Sequence, residues 1–295
     1  MANLHKLAFL ATYLFYSNFA ALAADVPDDP VLKTVIESPD RPASDRQRDV
    51  FRHPEASLRF WGLRPGMTVI ELQPEGGYWA EILAPYIART GGTYLAGVAD
   101  PLQPWGADVS DPNLPGGHGD FPVPGVAASA RTERYGVVRY VPFGGAVHVP
   151  PAPPASVDWI LSAREIHNWI HENFFDEALK QFYVALKPGG ILAVEEHRAD
   201  SAAIPTKTVT GDITGYVDTQ VVIDAAKRAG FIFEAASEIN ANPLDSKDYP
   251  FGVWTLKPAR LSVLPNHPPL TDEERHRIDG IGESDRMTLR FRKPG

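Results

Sequence analysis

The chain has 295 residues, no cysteine, and 28 Lys and Arg against 37 Asp and Glu, a formal charge of −9 with histidine neutral. Disulfides, thiolate nucleophiles and zinc–thiolate centres are thereby excluded, and the negative balance repels a nucleic-acid backbone, so no nucleic-acid partner is expected. The length suits one α/β domain of generous size or one with insertions.

The opening segment, MANLHKLAFLATYLFYSNFAALAADVP, carries Lys6, an apolar stretch from Leu7 to Leu22 and the small pair Ala21 and Ala23. This is the pattern of a secretory leader cleaved after Ala23. Tyr13, Tyr16, Ser17 and Asn18 interrupt a run already short of the roughly 20 apolar residues that span a bilayer. Residues 1–23 are read as a signal peptide and 24–44 as an N-terminal extension, with the protein exported to a periplasm or secreted, and without stable membrane insertion after cleavage.

Asp45 to Trp61 has helical character and Pro54 divides it. Met67 to Leu72 is a continuous apolar run suited to a strand buried on both faces of a parallel sheet. The turn QPEGG then precedes a helical spacing over Tyr78 to Ala88 and a second strand over Thr93 to Asp100, which makes one βαβ unit. Residues 101–136 shift to Pro, Gly, Asp and Ser and read as an insertion, with a short helix around Val126 to Glu133. Strands follow at Gly136 to Phe143, Val157 to Ala163 and Gly190 to His197, with an amphipathic helix at Phe174 to Leu186. A helix at Val217 to Ala229 and strands at Phe231 to Ile239 and near Gly252 to Leu256 complete a domain spanning 45–259. In the charged tail, 260–295, Met287 to Phe291 alternates like an edge strand. The alternation of strands and helices predicts a doubly wound, mostly parallel sheet with helices on both faces.

Strand VIEL, the loop with Gly76 and Gly77, strand VAD, strand VDWILS and the run ALKPGGILAVEEH occur in an order that resembles class I S-adenosylmethionine-dependent methyltransferases, over roughly Asp45 to Pro258. Within that superfamily HNW (His167 to Trp169) and EHR (Glu196 to Arg198) are similar to motifs of a group of exported bacterial proteins described only as predicted methyltransferases. The resemblance implies a seven-stranded Rossmann-like methyltransferase fold, S-adenosylmethionine as cofactor and a small-molecule substrate. It implies cofactor contacts from Glu71 at the end of the first strand, from Gln73, Gly76, Gly77 and Tyr78 in the next loop, from Asp100 through the ribose hydroxyls, and from Ser162. The superfamily loop would carry glycines where Gln73 and Glu75 stand, and Glu75 brings a carboxylate near the cofactor's own, so weakened or altered cofactor binding is expected.

KPGG (Lys187 to Gly190) is read as a structural turn. His167 and Asn168 follow a central strand where α/β sites lie, and methyl transfer needs little beyond alignment and one proton acceptor, so His167 is the candidate base with Asn168 beside it. Arg164, Trp169, Glu196, His197 and Arg198 are candidate substrate contacts. Each has a plain alternative: loop-end hydrogen bonds for the histidines, a surface ion pair for Glu196 and Arg198, core packing for Trp169. No metal is assigned, although His167 and His171, at i and i+4, would share a helix face and with Glu172 or Glu196 form a set that suits a divalent ion and a hydrolase. A third reading is an exported binding protein that keeps the fold without cofactor use.

Overall fold

The computed structural model describes residues 28–74, 77–99, 132–199, 213–263 and 268–295. The expected leader, Glu75, Gly76, Asp100 and the expected insertion up to residue 131 lie outside the described residues.

Among the described residues four short helices come first: α1 (Pro30–Ile36), α2 (Ala43–Arg46), α3 (Asp49–Arg52) and α4 (Pro54–Phe60). Asp29 caps α1 by accepting the N–H groups of Val31 and Leu32, each at 3.0 Å. His53, left-handed at φ 42, separates α3 from α4, where Pro54 takes a first-turn position that needs no N–H. Then follow β1 (Thr68–Leu72), α5 (Ala80–Arg89), β2 (Thr93–Val98), α6 (Thr132–Tyr135), β3 (Val138–Pro142), β4 (Val157–Ala163), α7 (Ile166–His171), α8 (Phe175–Ala185) and β5 (Leu186–Ala199). The two-residue β6 (Val217–Asp218), α9 (Thr219–Arg228), β7 (Ile232–Ser237), α10 (Asp272–Asp279) and β8 (Arg286–Arg292) complete the order.

The strands run β3-β2-β1-β4-β5-β8-β7, with β6 paired to the far end of β5. Pairs among β1 to β5 are parallel, whereas β8 is antiparallel to both β5 and β7. The mostly parallel, doubly wound sheet is therefore present, with eight strands where seven were expected because the short β6 adds to β5. Period-two alternation sends successive side chains to opposite faces. Ile70, Leu72, Ile160 and Leu192 join a core under α7, α8 and α9, while Val69, Trp159, Leu161 and Ile191 join one under α1, α4 and α5. Among the described residues no helix is long and apolar enough to cross a membrane.

Two expected strands turn out differently. Gly252–Thr255 is a 3₁₀ helix, because Gly252 is left-handed at φ 56 and lies so close to the Thr214 backbone that a Cβ has no room. The C-terminal strand lies inside the sheet rather than at its edge. Met287, Leu289 and Phe291 supply one core face. The cations of the other face are neutralised: Arg286 Nε lies 2.9 Å from Glu195 Oε1, and Arg290 Nε 2.8 Å from Glu234 Oε2. Partnered guanidiniums are what permit so charged a strand to occupy an interior position.

Candidate functional site

The carboxyl ends of β4 and β5 meet the segments 253–259 and 283–284 around a cavity of about 290 Å³. A single residue turns β4 toward α7: Arg164, left-handed at φ 66, whose N–H donates to Glu195 O at 2.8 Å and so carries the β4–β5 ladder past the last strand residue. Ile166 is buried beneath the first turn of α7, which sets His167 and Asn168 in the cavity wall.

Glu196, fully buried on β5, organises His167. Its Oε2 accepts the His167 main-chain N–H at 3.2 Å, its Oε1 accepts the His197 N–H at 2.7 Å, and Oε1 lies 3.0 Å from His167 Nδ1. A carboxylate oxygen can only accept, so the His167 proton sits on Nδ1 and Nε2 is left as the basic nitrogen. His197 Nδ1 is 2.6 Å from Ser284 Oγ, and its ring lies 5.4 Å from that of His167. Burial, together with the positive charge of Arg164, Arg286 and Arg52 and the neighbouring His167, holds His197 well below the ordinary histidine value. It is neutral at physiological pH. Trp254 meets the His167 ring edge-on at 5.6 Å.

The opposite wall is cationic. Glu283 receives Arg48 Nε at 2.7 Å, Arg52 Nε at 2.8 Å and Arg286 Nη1 at 2.6 Å. Burial alone would raise its pKa, but these guanidiniums outweigh burial and hold it well below the usual carboxylate range. Gly282 makes the approach feasible, since a Cβ there would collide with the Phe51 ring. Tyr78 lies beneath this cluster with the Arg52 guanidinium 4.4 Å from its ring centre, and its hydroxyl donates to Asp49 Oδ1 at 2.6 Å.

The expected site residues divide. Arg164, His167, Asn168, His197 and Tyr78 line the cavity, and Asn168 Nδ2 donates to Glu165 Oε2 at 3.2 Å. Glu196 stands behind His167 rather than in the lining. Trp169 is not a stacking platform: it is 1 % exposed, packed on Phe143, Phe174 and Phe182, with Nε1 donating to Gln73 Oε1 at 2.6 Å. That hydrogen bond also occupies Gln73, a left-handed residue at φ 46. Arg198 is likewise outside the lining, held by Asp285 and Glu238, each at 2.8 Å. Glu71 faces inward, accepting the Tyr94 hydroxyl at 2.7 Å, and burial pushes its carboxyl up to about 8 despite that bond. Gly77 is left-handed at φ 64, and Ser162 Oγ at the end of β4 is buried with no hydrogen-bond partner among the described residues. Gly76 and Asp100 lie outside the described residues.

Sequence reading missed Arg48, Arg52, Trp254, Glu283 and Ser284. The i, i+4 spacing of Arg48 and Arg52 marked a cationic helix edge, but its carboxylate partner lies 231 residues from Arg52. His167, Glu196 and His197 bring ligand atoms within 4.8 Å of one another, the geometry of a metal-binding triad, whereas His171 is exposed and stands outside it. Nearby Arg164, Arg286 and Arg52 oppose a cation there.

No family model matches the chain, and no curated protein sequence matches it. Solved structures do. The [4+2]-cyclase SpnF is 15 % identical over 90 % of this chain and 92 % of its own, with a TM-score of 0.51. A putative methyltransferase from Bacillus halodurans is 13 % identical over 83 % of this chain and 100 % of its own, with a TM-score of 0.48. The Burkholderia thailandensis 1,6-didemethyltoxoflavin-N1-methyltransferase, solved with S-adenosylhomocysteine, is 14 % identical over 100 % of this chain and 92 % of its own, with a TM-score of 0.44. At such identities the likeness is one of architecture alone: the chain shares with the cyclase a Rossmann-like α/β fold.

Proposed function

We propose that the protein transfers the methyl group of S-adenosylmethionine to a small molecule held in the cavity, with His167 taking the proton that the acceptor loses. The observation that carries this reading is the Glu196–His167 pair, which leaves Nε2 available in a cavity at the carboxyl ends of β4 and β5.

The described residues suit the cofactor. Gly77, without a side chain and left-handed, lets a ligand approach the turn after β1 closely, and the unpartnered Ser162 Oγ offers a hydrogen bond at the end of β4. When bound, S-adenosylmethionine supplies an electrophilic methyl on a sulfonium, so the chain itself has to orient the acceptor and remove one proton. Val253, Trp254, Leu256 and Pro258 form an apolar side of the cavity, and Asn168 offers an amide to position the acceptor. On methylation, which would leave S-adenosylhomocysteine as co-product, the proton lost by the acceptor's N, O or C would pass to His167 Nε2. Glu196 stabilises the resulting imidazolium through Nδ1. With residues 1–23 as leader, this work is done outside the cytoplasm, where the cofactor has to be supplied.

A second reading, a binding protein without cofactor use, is favoured by one contact. The Trp169–Gln73 hydrogen bond ties the turn after β1 to α7 across the crevice in which a cofactor of this fold lies. Isothermal titration of the purified protein with S-adenosylmethionine and S-adenosylhomocysteine decides between them. Micromolar binding, about −8 kcal/mol, supports methyl transfer; folded protein that binds neither compound supports the second reading.

A further inference from the structure

We infer that the cavity recognises a carboxylate, and that Arg164 is the residue that holds it. The inference deepens the methyl-transfer reading by naming the substrate class, an organic acid, and it rests on that reading only for the fate of the bound acid.

Arg164 lines the cavity, and among the described residues its guanidinium has no hydrogen-bond or ion-pair partner; its Nε is buried and unsatisfied. The carboxylates nearest in charge are already taken. Glu283 is held by Arg48, Arg52 and Arg286, and Glu195 accepts Trp79 Nε1 at 3.0 Å and faces Arg286. Glu196 is occupied by His167 and two main-chain N–H groups. Glu71, on which the charge of Arg164 also acts, accepts the Tyr94 hydroxyl at 2.7 Å. Burial first, then Arg52 and Arg48, depress the Arg164 guanidinium to about 9, so an anion placed against it relieves an existing electrostatic cost. The left-handed backbone at Arg164 adds strain that a non-glycine residue carries only where its surroundings enforce it, a pattern typical of ligand clamps.

Size and shape narrow the anion. A planar fork suits a carboxylate, whereas a phosphate calls for several free donors; in the lining Arg48 is paired with Glu283 and Asp45, and Arg52, whose Nη1 and Nη2 have no hydrogen-bond partner among the described residues, lies outside the lining. The cavity is about twice the ~150 Å³ that accommodates a benzene ring. Its wall from Val253 to Ala259 is apolar apart from Lys257, which joins Arg48 and Arg164 as a third cationic side chain of the lining. The fitting ligand is a compact, single-ring acid or an aliphatic acid of similar size, with its carboxylate on Arg164 and an ionisable O–H or N–H toward His167.

The test is titration of the purified protein with benzoate, 4-hydroxybenzoate and the uncharged benzamide. The acids are expected to bind about tenfold tighter than the amide or better, with that preference lost in Arg164→Gln and partly kept in Arg164→Lys. A second arm compares S-adenosylhomocysteine with its decarboxylated counterpart. If removing that carboxylate weakens binding about tenfold in wild type and not in Arg164→Gln, the carboxylate held is the cofactor's. A preference for 4-hydroxybenzoate that persists in protein saturated with S-adenosylhomocysteine assigns it to the acceptor. The inference is overturned if wild type favours the charged ligand in neither arm, a comparison that stands even where a variant does not fold, or if the preference survives in Arg164→Gln. Acid binding without S-adenosylhomocysteine binding keeps the carboxylate site and removes the methyl-transfer reading.

Discussion

Glu196 holds His167 by both its main chain and its ring, at 3.2 Å to the backbone N–H and 3.0 Å to Nδ1. One carboxylate thus fixes the start of α7 and the tautomer of its imidazole. Substituting His167 by Ala is expected to lower kcat on a turned-over acceptor by about 100- to 10,000-fold. Glu196→Gln is expected to lower it by about 10- to 100-fold, the usual scale for a group that orients a functional one. Titration with S-adenosylhomocysteine should be nearly unaffected in both. Affinity that fell in step with kcat would make the pair a cofactor-binding element instead.

Glu71 gives a stability signature in the basic direction. Its native carboxyl is raised to about 8 by burial, so the folded state holds a proton that the unfolded chain releases near 4.5. Its contribution is complete below about pH 4.5 and is lost as pH rises through about 8. Glu71→Gln should therefore match wild type near pH 5 and exceed it by about 2–4 kcal/mol near pH 8.5. Urea unfolding at the two pH values measures the difference; equal values for both proteins at high pH would show that Glu71 is ionised without cost.

His197 acts in the opposite sense. Kept neutral by burial and by neighbouring cations, it does not take the proton that an unfolded histidine takes below about 6.5. Stability is expected to fall as pH drops below that value, by at most about 1.4 kcal/mol per pH unit from this residue. His197→Asn should flatten this part of the profile. Between about pH 4.5 and 6.5 the slopes of Glu71 and His197 oppose each other, so the single variants are needed to separate them.

The triply paired Glu283 should be the most sensitive of the buried acids to loss of charge. Glu283→Gln strands Arg48, Arg52 and Arg286 around a neutral group, a change expected to cost about 3–5 kcal/mol and roughly 10 °C in Tm. Because the native carboxyl lies well below its ordinary value, wild type should lose this advantage only as pH falls from about 4.5 toward the depressed native value. A drop of under about 1 kcal/mol, the range of exposed pairs, would mean that water screens the cluster.

Periodicity made most of the architecture legible, since buried parallel strands such as Met67 to Leu72 and Val157 to Ala163 are continuous apolar runs between glycine turns. It failed where tertiary partners override local pattern. Arg286, Arg290 and Arg292 make β8 look solvent-facing, and only Glu195, Glu283 and Glu234, from other parts of the chain, account for their burial. The candidate site was half legible for the same reason. His167 follows β4 and Glu196 lies on the adjacent parallel β5, so their meeting is a consequence of topology, whereas Arg48 and Ser284 reach the cavity through contacts that no local spacing encodes. Trp169 was ambiguous in kind, a candidate ligand contact although core burial is the commoner use of a tryptophan, and its neighbours Phe143 and Phe182 decide for the core.

The place of β8 has a consequence for biosynthesis. β7 touches the rest of the sheet through β8, which is made about fifty residues later, and the stretch just before β8 brings Glu283 and Ser284 to the cavity. A nascent chain that has emerged only as far as β7 therefore has neither a closed sheet nor a finished binding site. The cavity is complete only when the late strand slots in.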